Sequence, residues 1–168
     1  MTTLADASPI QPSWRFVFSH PAHFIAFGFG SGLSPFAPGT VGTLLAWPLF
    51  WILSPRLPPV MLLGLIAALF AAGIWACGAT GRALGQSDHG GMVWDEIVAF
   101  MLVLFFTPPG VVWQIVAFVL FRFFDIVKPA PIRRIDRTIR GGFGVMFDDA
   151  IAAFYTLLVM ALATRILG

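Results

Sequence analysis

Charged side chains are scarce in this sequence. Only 11% of its 168 residues are Asp, Glu, Lys or Arg, while 58% are hydrophobic, against about 45–50% in soluble domains. Charges are absent from residues 57–81, 97–121 and 150–164, and apolar runs of about 18 residues or more are typical of membrane-spanning helices. A soluble bundle would have almost no polar surface, so the sequence predicts an integral membrane protein.

Cysteine and histidine are also rare. The single Cys77 excludes an internal disulfide and is expected to be a small buried apolar side chain. A zinc site needs several Cys or His ligands, which one cysteine and three scattered histidines do not supply. The net charge of +2 is too small to indicate a nucleic-acid partner. Residues 1–24 lack the features of a signal peptide, so no cleavable leader is expected.

Residues 14–168 are predicted to form a single membrane-embedded domain. Residues 1–13 are polar, contain proline and are expected to be a disordered tail. Residues 14–29 are rich in phenylalanine, which is typical of a segment that lies at the membrane interface. His20 and His23 are therefore expected to be interfacial side chains rather than metal ligands.

Four apolar stretches predict the membrane helices: residues 43–53, 60–80, 97–121 and 150–167. The third contains Pro108-Pro109-Gly110 and is either one kinked span or a hairpin of two short ones. The hairpin is favoured because it places most basic residues on one face, which the positive-inside rule makes cytoplasmic. The predicted fold is therefore all-α, a polytopic membrane bundle of four to five spans with short interfacial helices. Spans of about 15 residues reach only about 22 Å, so local thinning or a half-buried hairpin is implied.

A glycine-rich stretch, GFGSGLSPFAPGTVGT at residues 28–43, precedes the first predicted span. Such a loop entering a helix exposes N–H groups that suit a phosphate, although the Lys of a P-loop is missing. It is alternatively a flexible loop before a membrane helix. Gly30, Ser31, Gly32 and Thr40 are the candidate phosphate contacts, and Thr40 is also a candidate helix cap.

Six acidic residues are predicted to share one face: Asp88, Asp95, Glu96, Asp125, Asp148 and Asp149. Most could simply cap helix N-termini, whereas Asp125 is expected near a helix C-terminus, where Arg122 could pair with it. Two like charges 4 Å apart repel by about 4 kcal/mol at an effective dielectric of about 20. Converging carboxylates therefore need a cation, and oxygen ligands favour Mg²⁺, Mn²⁺ or Ca²⁺.

Basic residues lie beside these acids. Ile132, Ile135 and Ile139 fall at helical spacing, which predicts a short basic amphipathic helix on the bilayer. The candidates for binding the substrate phosphate are Arg122, Lys128, Arg133 and Arg134. Together these features predict a metal-dependent site for a phosphate carried by a lipid.

Four motifs resemble those of the bacterial phosphatidylglycerophosphatase A family, in order and spacing, with apolar helices between them. They are GFGSGLSPFAPGTVGT (28–43), MVWDE (92–96), FRFFDIVKPAPI (121–132) and GGFGVMFDD (141–149). The resemblance implies a Mg²⁺-dependent enzyme that removes the terminal phosphate of phosphatidylglycerophosphate at the cytoplasmic face of the bacterial inner membrane. It implies that the acids holding the metal or acting in catalysis are Asp95, Glu96, Asp125, Asp148 and Asp149, with Asp88 as a further metal candidate.

Two other functions remain open from the residues. A CDP-alcohol phosphotransferase also uses clustered membrane-face aspartates with Mg²⁺, but its DG-x-x-A-R signature is missing. A small ion or solute carrier is the third possibility, since acids in membrane helices often mark ion pathways. A polar path across the bilayer would favour the carrier, and carboxylates gathered at one face would favour an enzyme.

Overall fold

The fold consists of seven α-helices and one 3₁₀ segment in a computed structural model that describes residues 12–130 and 139–167. No strand occurs in these ranges, so the all-α prediction is confirmed for them. Residues 1–11, which hold most of the predicted tail, and residues 131–138, which hold Arg133 and Arg134, lie outside the described ranges. The elements are α1 (Trp14–Val17), α2 (Pro21–Ala26), the 3₁₀ segment (Gly28–Leu33), α3 (Pro38–Leu53), α4 (Pro59–Leu84), α5 (Trp94–Phe106), α6 (Val111–Val127) and α7 (Gly142–Leu167).

Proline and glycine set several helix boundaries. Pro21, Pro38 and Pro59 are the first residues of α2, α3 and α4, where the fixed φ of proline suits a helix and its missing N–H costs nothing. Gly85 ends α4 in the left-handed conformation. Because α3 begins at Pro38, Thr40 lies inside its first turn and does not cap it. The prediction of a Thr40 cap is therefore wrong.

Most of the glycine-rich stretch is helical, although a loop was predicted there. Residues 28–33 form the 3₁₀ segment and α3 starts at Pro38, which leaves only residues 34–37 between them. A Cβ at Gly42 would lie 2.7 Å from Val93 Cβ, so this glycine lets α3 pack closely against the residue before α5. Close packing of this kind outweighs the low helix propensity of glycine.

The turn at Pro108-Pro109-Gly110 separates α5 from α6, and the two helices run antiparallel. The ring of Phe100 lies 5.7 Å from that of Phe118 and 5.6 Å from that of Phe121. This confirms a helical hairpin rather than one kinked helix. The turn follows because neither proline can donate the next backbone hydrogen bond.

Helix α5 is the centre of the bundle. It packs against α3, α4, α6 and α7, and nine of its 13 residues are buried. Among them is Asp95, a carboxylate in the first turn. The Asp95 carboxylate therefore lies at the edge of the apolar core. Its charged form requires a partner or an ion there, because burying an unpaired charge is costly.

Helices α4 and α7 are long and apolar enough to cross a membrane, whereas α3, with 16 residues, is shorter. Their most apolar windows are only 28% and 44% buried, unlike the core helix of a soluble protein. Large apolar side chains such as Val60 and Ile166 are more than three-quarters exposed. Extended apolar surface of this kind favours a lipid environment.

Helix α7 begins eight residues before the predicted span at Ala150. The predicted start is too late because residues 141–144 contain three glycines, and glycine has a low helix propensity. A Cβ at Gly142 would lie 1.9 Å from the carbonyl oxygen of Ile74, so glycine permits α7 to pack directly on α4. Asp148 and Asp149 therefore lie within the helix rather than capping it, and the capping interpretation of this pair is wrong.

The short N-terminal helices carry exposed aromatic side chains, as the predicted interfacial segment would. Trp14 and Phe18 are both more than half exposed. His20 caps α2 by accepting a 3.1 Å hydrogen bond from the backbone N–H of Ala22. His23 Nδ1 lies 2.9 Å from Thr80 Oγ1 of α4, and burial lowers the pKa of its imidazole. Both histidines thus have structural partners.

Candidate metal and phosphate site

Three carboxylates from two helices meet at one end of the bundle. Asp95 and Glu96 lie in the first turn of α5, and Asp149 lies in the second turn of α7. One oxygen from each falls within 4.8 Å of the others. We call these residues the acid trio. Asp95 and Asp149 are buried, and the Glu96 side chain is 13% exposed.

Each side chain of the acid trio has one buried oxygen without a hydrogen-bond partner among the described residues. Within the described ranges, Asp95 Oδ1, Glu96 Oε2 and Asp149 Oδ2 are inaccessible to solvent and have no hydrogen-bond partner. Burial raises the pKa of Asp95 well above its usual value, and the charge of Glu96 adds to this. Burial also raises the pKa of Glu96 to about 7, although a hydrogen bond from Asp95 and the charge of Arg122 oppose the rise. Such a site is completed by a proton or by a cation.

Arg122 lies near the end of α6 and connects the acid trio to two other groups. Its Nη1 lies 2.6 Å from Asp125 Oδ2 and 3.6 Å from Glu96 Oε1, and it donates a 3.3 Å hydrogen bond to Thr43 Oγ1. The Arg122–Asp125 pair expected from the spacing is confirmed. Because the side chains are largely buried, this guanidinium holds its partners in fixed positions.

All five acids that the family resemblance singles out come together. Asp148 forms an ion pair with Lys128, which ends α6 in the left-handed conformation. The charges that act most strongly on Asp149 are those of Asp125, Glu96 and Asp148. The prediction that these acids converge is confirmed. Asp125 and Asp148 each have a basic partner, and among the described residues Glu96 is the member of the acid trio that lies near a cation, Arg122.

Helix α3 contributes two residues that were not named from the sequence. A Cβ at Gly39 would lie 2.2 Å from Glu96 Oε1 and 3.1 Å from Arg122 Nη2. Thr43 donates a 2.8 Å hydrogen bond to the carbonyl of Gly39 while it accepts one from Arg122. The signal that could have found them is their i, i+4 spacing after Pro38, which puts both on one helix face.

Three of the residues predicted to contact the phosphate, Gly30, Ser31 and Gly32, lie against other groups. Gly30 lies under the ring of Trp14, where a Cβ would meet Cζ3 at 2.3 Å, and a Cβ at Gly32 would lie 1.9 Å from the carbonyl oxygen of Gly91. Ser31 donates a 2.8 Å hydrogen bond to the carbonyl of Gly28. Thr40 is half-buried in α3. The nearest neighbours of Gly30 and Gly32 are therefore not the acid trio.

Asp88 lies outside the acid trio, in the loop after α4. It is exposed and lines a cavity of about 620 Å³ together with Arg140, Gly141 and Gly144. Arg133 and Arg134 lie outside the described residues. The structure thus brings together Asp95, Glu96, Asp125, Asp148, Asp149, Arg122 and Lys128, and keeps Asp88 apart from the trio.

The chemistry of the donor set suits a hard divalent cation. All of its ligand atoms are carboxylate oxygens, and 4.8 Å is a separation that one cation with oxygen ligands at about 2.0–2.6 Å can bridge. The nearby Arg122 and Lys128 supply positive charge of the kind that binds phosphate oxygens. The arrangement is therefore able to hold a phosphomonoester beside a bound cation.

Comparisons with known proteins agree with this geometry. The family model described as phosphatidylglycerophosphatase A matches residues 24–164. The Escherichia coli protein named phosphatidylglycerophosphatase A is 44% identical over 154 residues, covering 90% of this chain and 88% of the relative. The Haemophilus influenzae protein of the same name is 45% identical over 152 residues, covering 89% and 93%.

A third relative carries a different name. A Bacteroides thetaiotaomicron protein, provisionally named phosphatidylinositol-3-phosphatase, is 42% identical over 151 residues, which cover 86% of this chain and 94% of the relative. No solved structure matches the chain. The family model covers most of the chain and two relatives share its name, so the chain belongs to the phosphatidylglycerophosphatase A family.

Proposed function

We propose that this protein hydrolyses the terminal phosphomonoester of phosphatidylglycerophosphate to phosphatidylglycerol and phosphate. A water oxygen forms a new bond to phosphorus, the bond between phosphorus and the glycerol oxygen breaks, and that oxygen leaves with a proton. The family membership supports the substrate. The observation that carries the chemistry is the acid trio beside Arg122 and Lys128. Each of its three side chains has one buried oxygen with no hydrogen-bond partner in the part of the chain that the structure describes.

Mg²⁺ is the cofactor we propose, held by Asp95, Glu96 and Asp149. When bound, the ion would offset the charge of the phosphate and lower the pKa of a water molecule. Asp125 and Asp148 would support the site from outside, because each is already paired with a basic residue. Asp88 remains a prediction as a further ligand.

Arg122 and Lys128 are proposed to stabilise the negative charge on the phosphate oxygens. Both side chains are less than one-quarter exposed, and charge stabilisation is strong where water is excluded. Arg122 also holds Glu96 and Asp125 in position. A role in phosphate binding for Gly30, Ser31, Gly32, Thr40, Arg133 and Arg134 stays a prediction.

The active site is proposed to face the cytoplasm from the bacterial inner membrane. The charged residues of α5 and α6 all lie at one end of the hairpin, in the first turn of α5 and the last turns of α6. That end would be cytoplasmic by the positive-inside rule. The same placement weighs against a carrier, because a path across the bilayer would need polar groups along the helices.

Phosphate release from phosphatidylglycerophosphate by the purified protein in detergent tests the proposal. We expect turnover with Mg²⁺, no turnover with EDTA, and no turnover by Asp95→Asn with Mg²⁺. Phosphatidylinositol 3-phosphate is the comparison substrate because of the third relative's name. Turnover of phosphatidylinositol 3-phosphate alone would overturn the substrate, and undiminished turnover in EDTA would overturn the cofactor.

A further inference from the structure

An apolar groove lies between α4, α5 and α7. Its floor is formed by Val98, Ala99 and Leu102 of α5, and its walls by residues of α4 and by Ala150 of α7. Its volume is about 260 Å³, less than the roughly 300–1,000 Å³ of pockets that enclose a whole drug-sized ligand. We call it the α4–α5–α7 groove. It has room for part of an apolar chain, and the side chains that line it offer no hydrogen bond to a lipid headgroup.

The floor of the groove lies on the same stripe of α5 as Asp95, one member of the acid trio. Asp95, Val98, Ala99 and Leu102 have i, i+3, i+4, i+7 spacing, so they form one stripe along α5. On the opposite wall, Ala150 directly follows Asp149. Leu102 is seven residues from Asp95, or about 10 Å along a helix. A molecule lying along this stripe would meet carboxylates at one end and only apolar side chains further on.

The groove is open to the side of the bundle. On α4 its wall is Leu63, Ile66, Ala67 and Phe70, which share one face of the helix. Leu63 and Ala67 are exposed, whereas Ile66 is buried. Helix α4 is one of the two helices able to cross a membrane. The opening would therefore face lipid, from which an acyl chain can enter without passing through water.

We propose that the α4–α5–α7 groove holds one acyl chain of the lipid substrate while its terminal phosphate lies at the acid trio. This inference rests on the proposed function, because the phosphate and the chain must belong to one molecule. The chemistry of the two ends selects this occupant. A cation held by the acid trio, together with Arg122 and Lys128, would bind a phosphate, whereas the groove is lined by apolar side chains. The groove then positions the phosphate by anchoring the tail.

The first test is the dependence of turnover on acyl-chain length. We expect wild-type kcat/KM to rise as the chains of phosphatidylglycerophosphate lengthen through the short range, because each buried methylene group favours binding. Ala67→Phe, at the rim of the groove, should lower kcat/KM for the longer chains about tenfold, the equivalent of about two lost methylene contacts. It should leave turnover of the deacylated headgroup unchanged.

The matched control is Ala68→Phe, on the same helix and also exposed, but outside the lining. Leu63→Ala widens the groove and should shift the preference toward longer chains, which keeps the test decisive if Ala67→Phe does not fold. Equal chain-length profiles for Ala67→Phe, Ala68→Phe and wild type would overturn the groove proposal while leaving the phosphatase activity intact. Absence of turnover on every chain length would instead count against the proposed function.

A second readout does not depend on turnover. A non-hydrolysable phosphonate analogue of phosphatidylglycerophosphate with a diazirine in one acyl chain, bound to the wild-type protein with Mg²⁺, should crosslink to residues 63–70 of α4. Phosphatidylcholine carrying the same group should label that segment several-fold less, because its headgroup has no phosphomonoester. Equal labelling by both lipids would mean that the groove is ordinary lipid-facing surface, and would overturn the proposal.

Discussion

Asp149 differs from its neighbour Asp148 in what holds its charge. Asp148 is paired with Lys128, whereas Asp149 offers an oxygen to the group that it forms with Asp95 and Glu96. Two adjacent residues of the same type therefore have different tasks. Asp148 holds the Lys128 side chain in position, and Asp149 would bind the cation.

Asp149→Asn should weaken binding of Mn²⁺, a probe for Mg²⁺, by more than the roughly 10- to 100-fold cost of losing a residue that only supports a metal ligand. The physical reason is that a neutral amide replaces a charged ligand. Isothermal titration calorimetry on the purified protein measures this affinity. Asp88→Asn, which alters an acid outside the trio, should change it less. A weaker effect for Asp149→Asn than for Asp88→Asn would contradict the assignment of the trio.

Metal binding should also depend on pH through Glu96, whose pKa burial raises to about 7. Below that pKa the carboxyl is protonated, and a cation must displace the proton before it can bind. The affinity for the metal therefore has its full value at a pH above the pKa and decreases as the pH falls below it. Between pH 8 and pH 6 we expect Mn²⁺ affinity to fall about tenfold for the one proton. Glu96→Gln should bind weakly with a smaller dependence. The same affinity at both pH values would contradict this role of Glu96.

The sequence predicted that the acids converge. It did not predict which of them pair with a basic residue and which form the acid trio. The hairpin predicted at Pro108-Pro109-Gly110 returns the chain to the face where the third apolar stretch begins. Asp125, which follows that stretch, was therefore expected on the same face as Asp95, which precedes it, and as Asp149, which precedes the fourth stretch. The cation that each acid contacts depends on side-chain geometry. The link from Arg122 to Thr43 crosses 79 residues of chain, and no local spacing predicts such a contact.

At the scale of elements, Gly39 fixes how closely α3 approaches α5. Gly39→Ala would place a methyl group 2.2 Å from Glu96 Oε1, so either α3 or the carboxylate must move. We expect activity to fall at least tenfold, because small misplacements in an active site are costly. Phosphate release and thermal unfolding measure the two effects.

Gly64→Ala is the matched control, since Gly64 lies within α4 and a methyl group there would have no described neighbour within 4 Å. It should keep full activity and gain about 0.5–1 kcal/mol of stability from the better helix propensity of alanine. Equal activity in Gly39→Ala and Gly64→Ala would show that the close approach of α3 does not matter for the site.

The uncharged runs predicted the middle of each long helix, and the start of α4 to within one residue, but they did not predict the starts of α3 and α7. α3 and α7 start at Pro38 and Gly142, well before residues 43 and 150. Both extensions contain glycines that lie against other backbone or side chains, such as Gly42 against Val93 and Gly142 against Ile74. Tertiary contact made these segments helical, and a local pattern carries no information about it.

For the whole molecule, the number of membrane crossings remains a prediction that cysteine labelling can test. Cys77 is buried, so the unmodified chain should not react with an impermeant maleimide. With five spans, Arg56→Cys and Val111→Cys should react on intact cells, and Ser87→Cys only after permeabilisation. Failure of Val111→Cys to react under either condition would mean that the α5–α6 hairpin does not cross the bilayer.

The distribution of the site over several helices has a consequence for the biosynthesis of the protein. Asp95 and Glu96 are translated before Arg122 and Asp125, and Asp149 follows only after α6 and residues 128–141. A nascent chain inserted as far as the α5–α6 hairpin thus carries carboxylates in the membrane without the third member of the trio. Such a chain has Arg122 beside Glu96 but lacks one carboxylate of the proposed cation site, so it would not act on lipid before α7 is added.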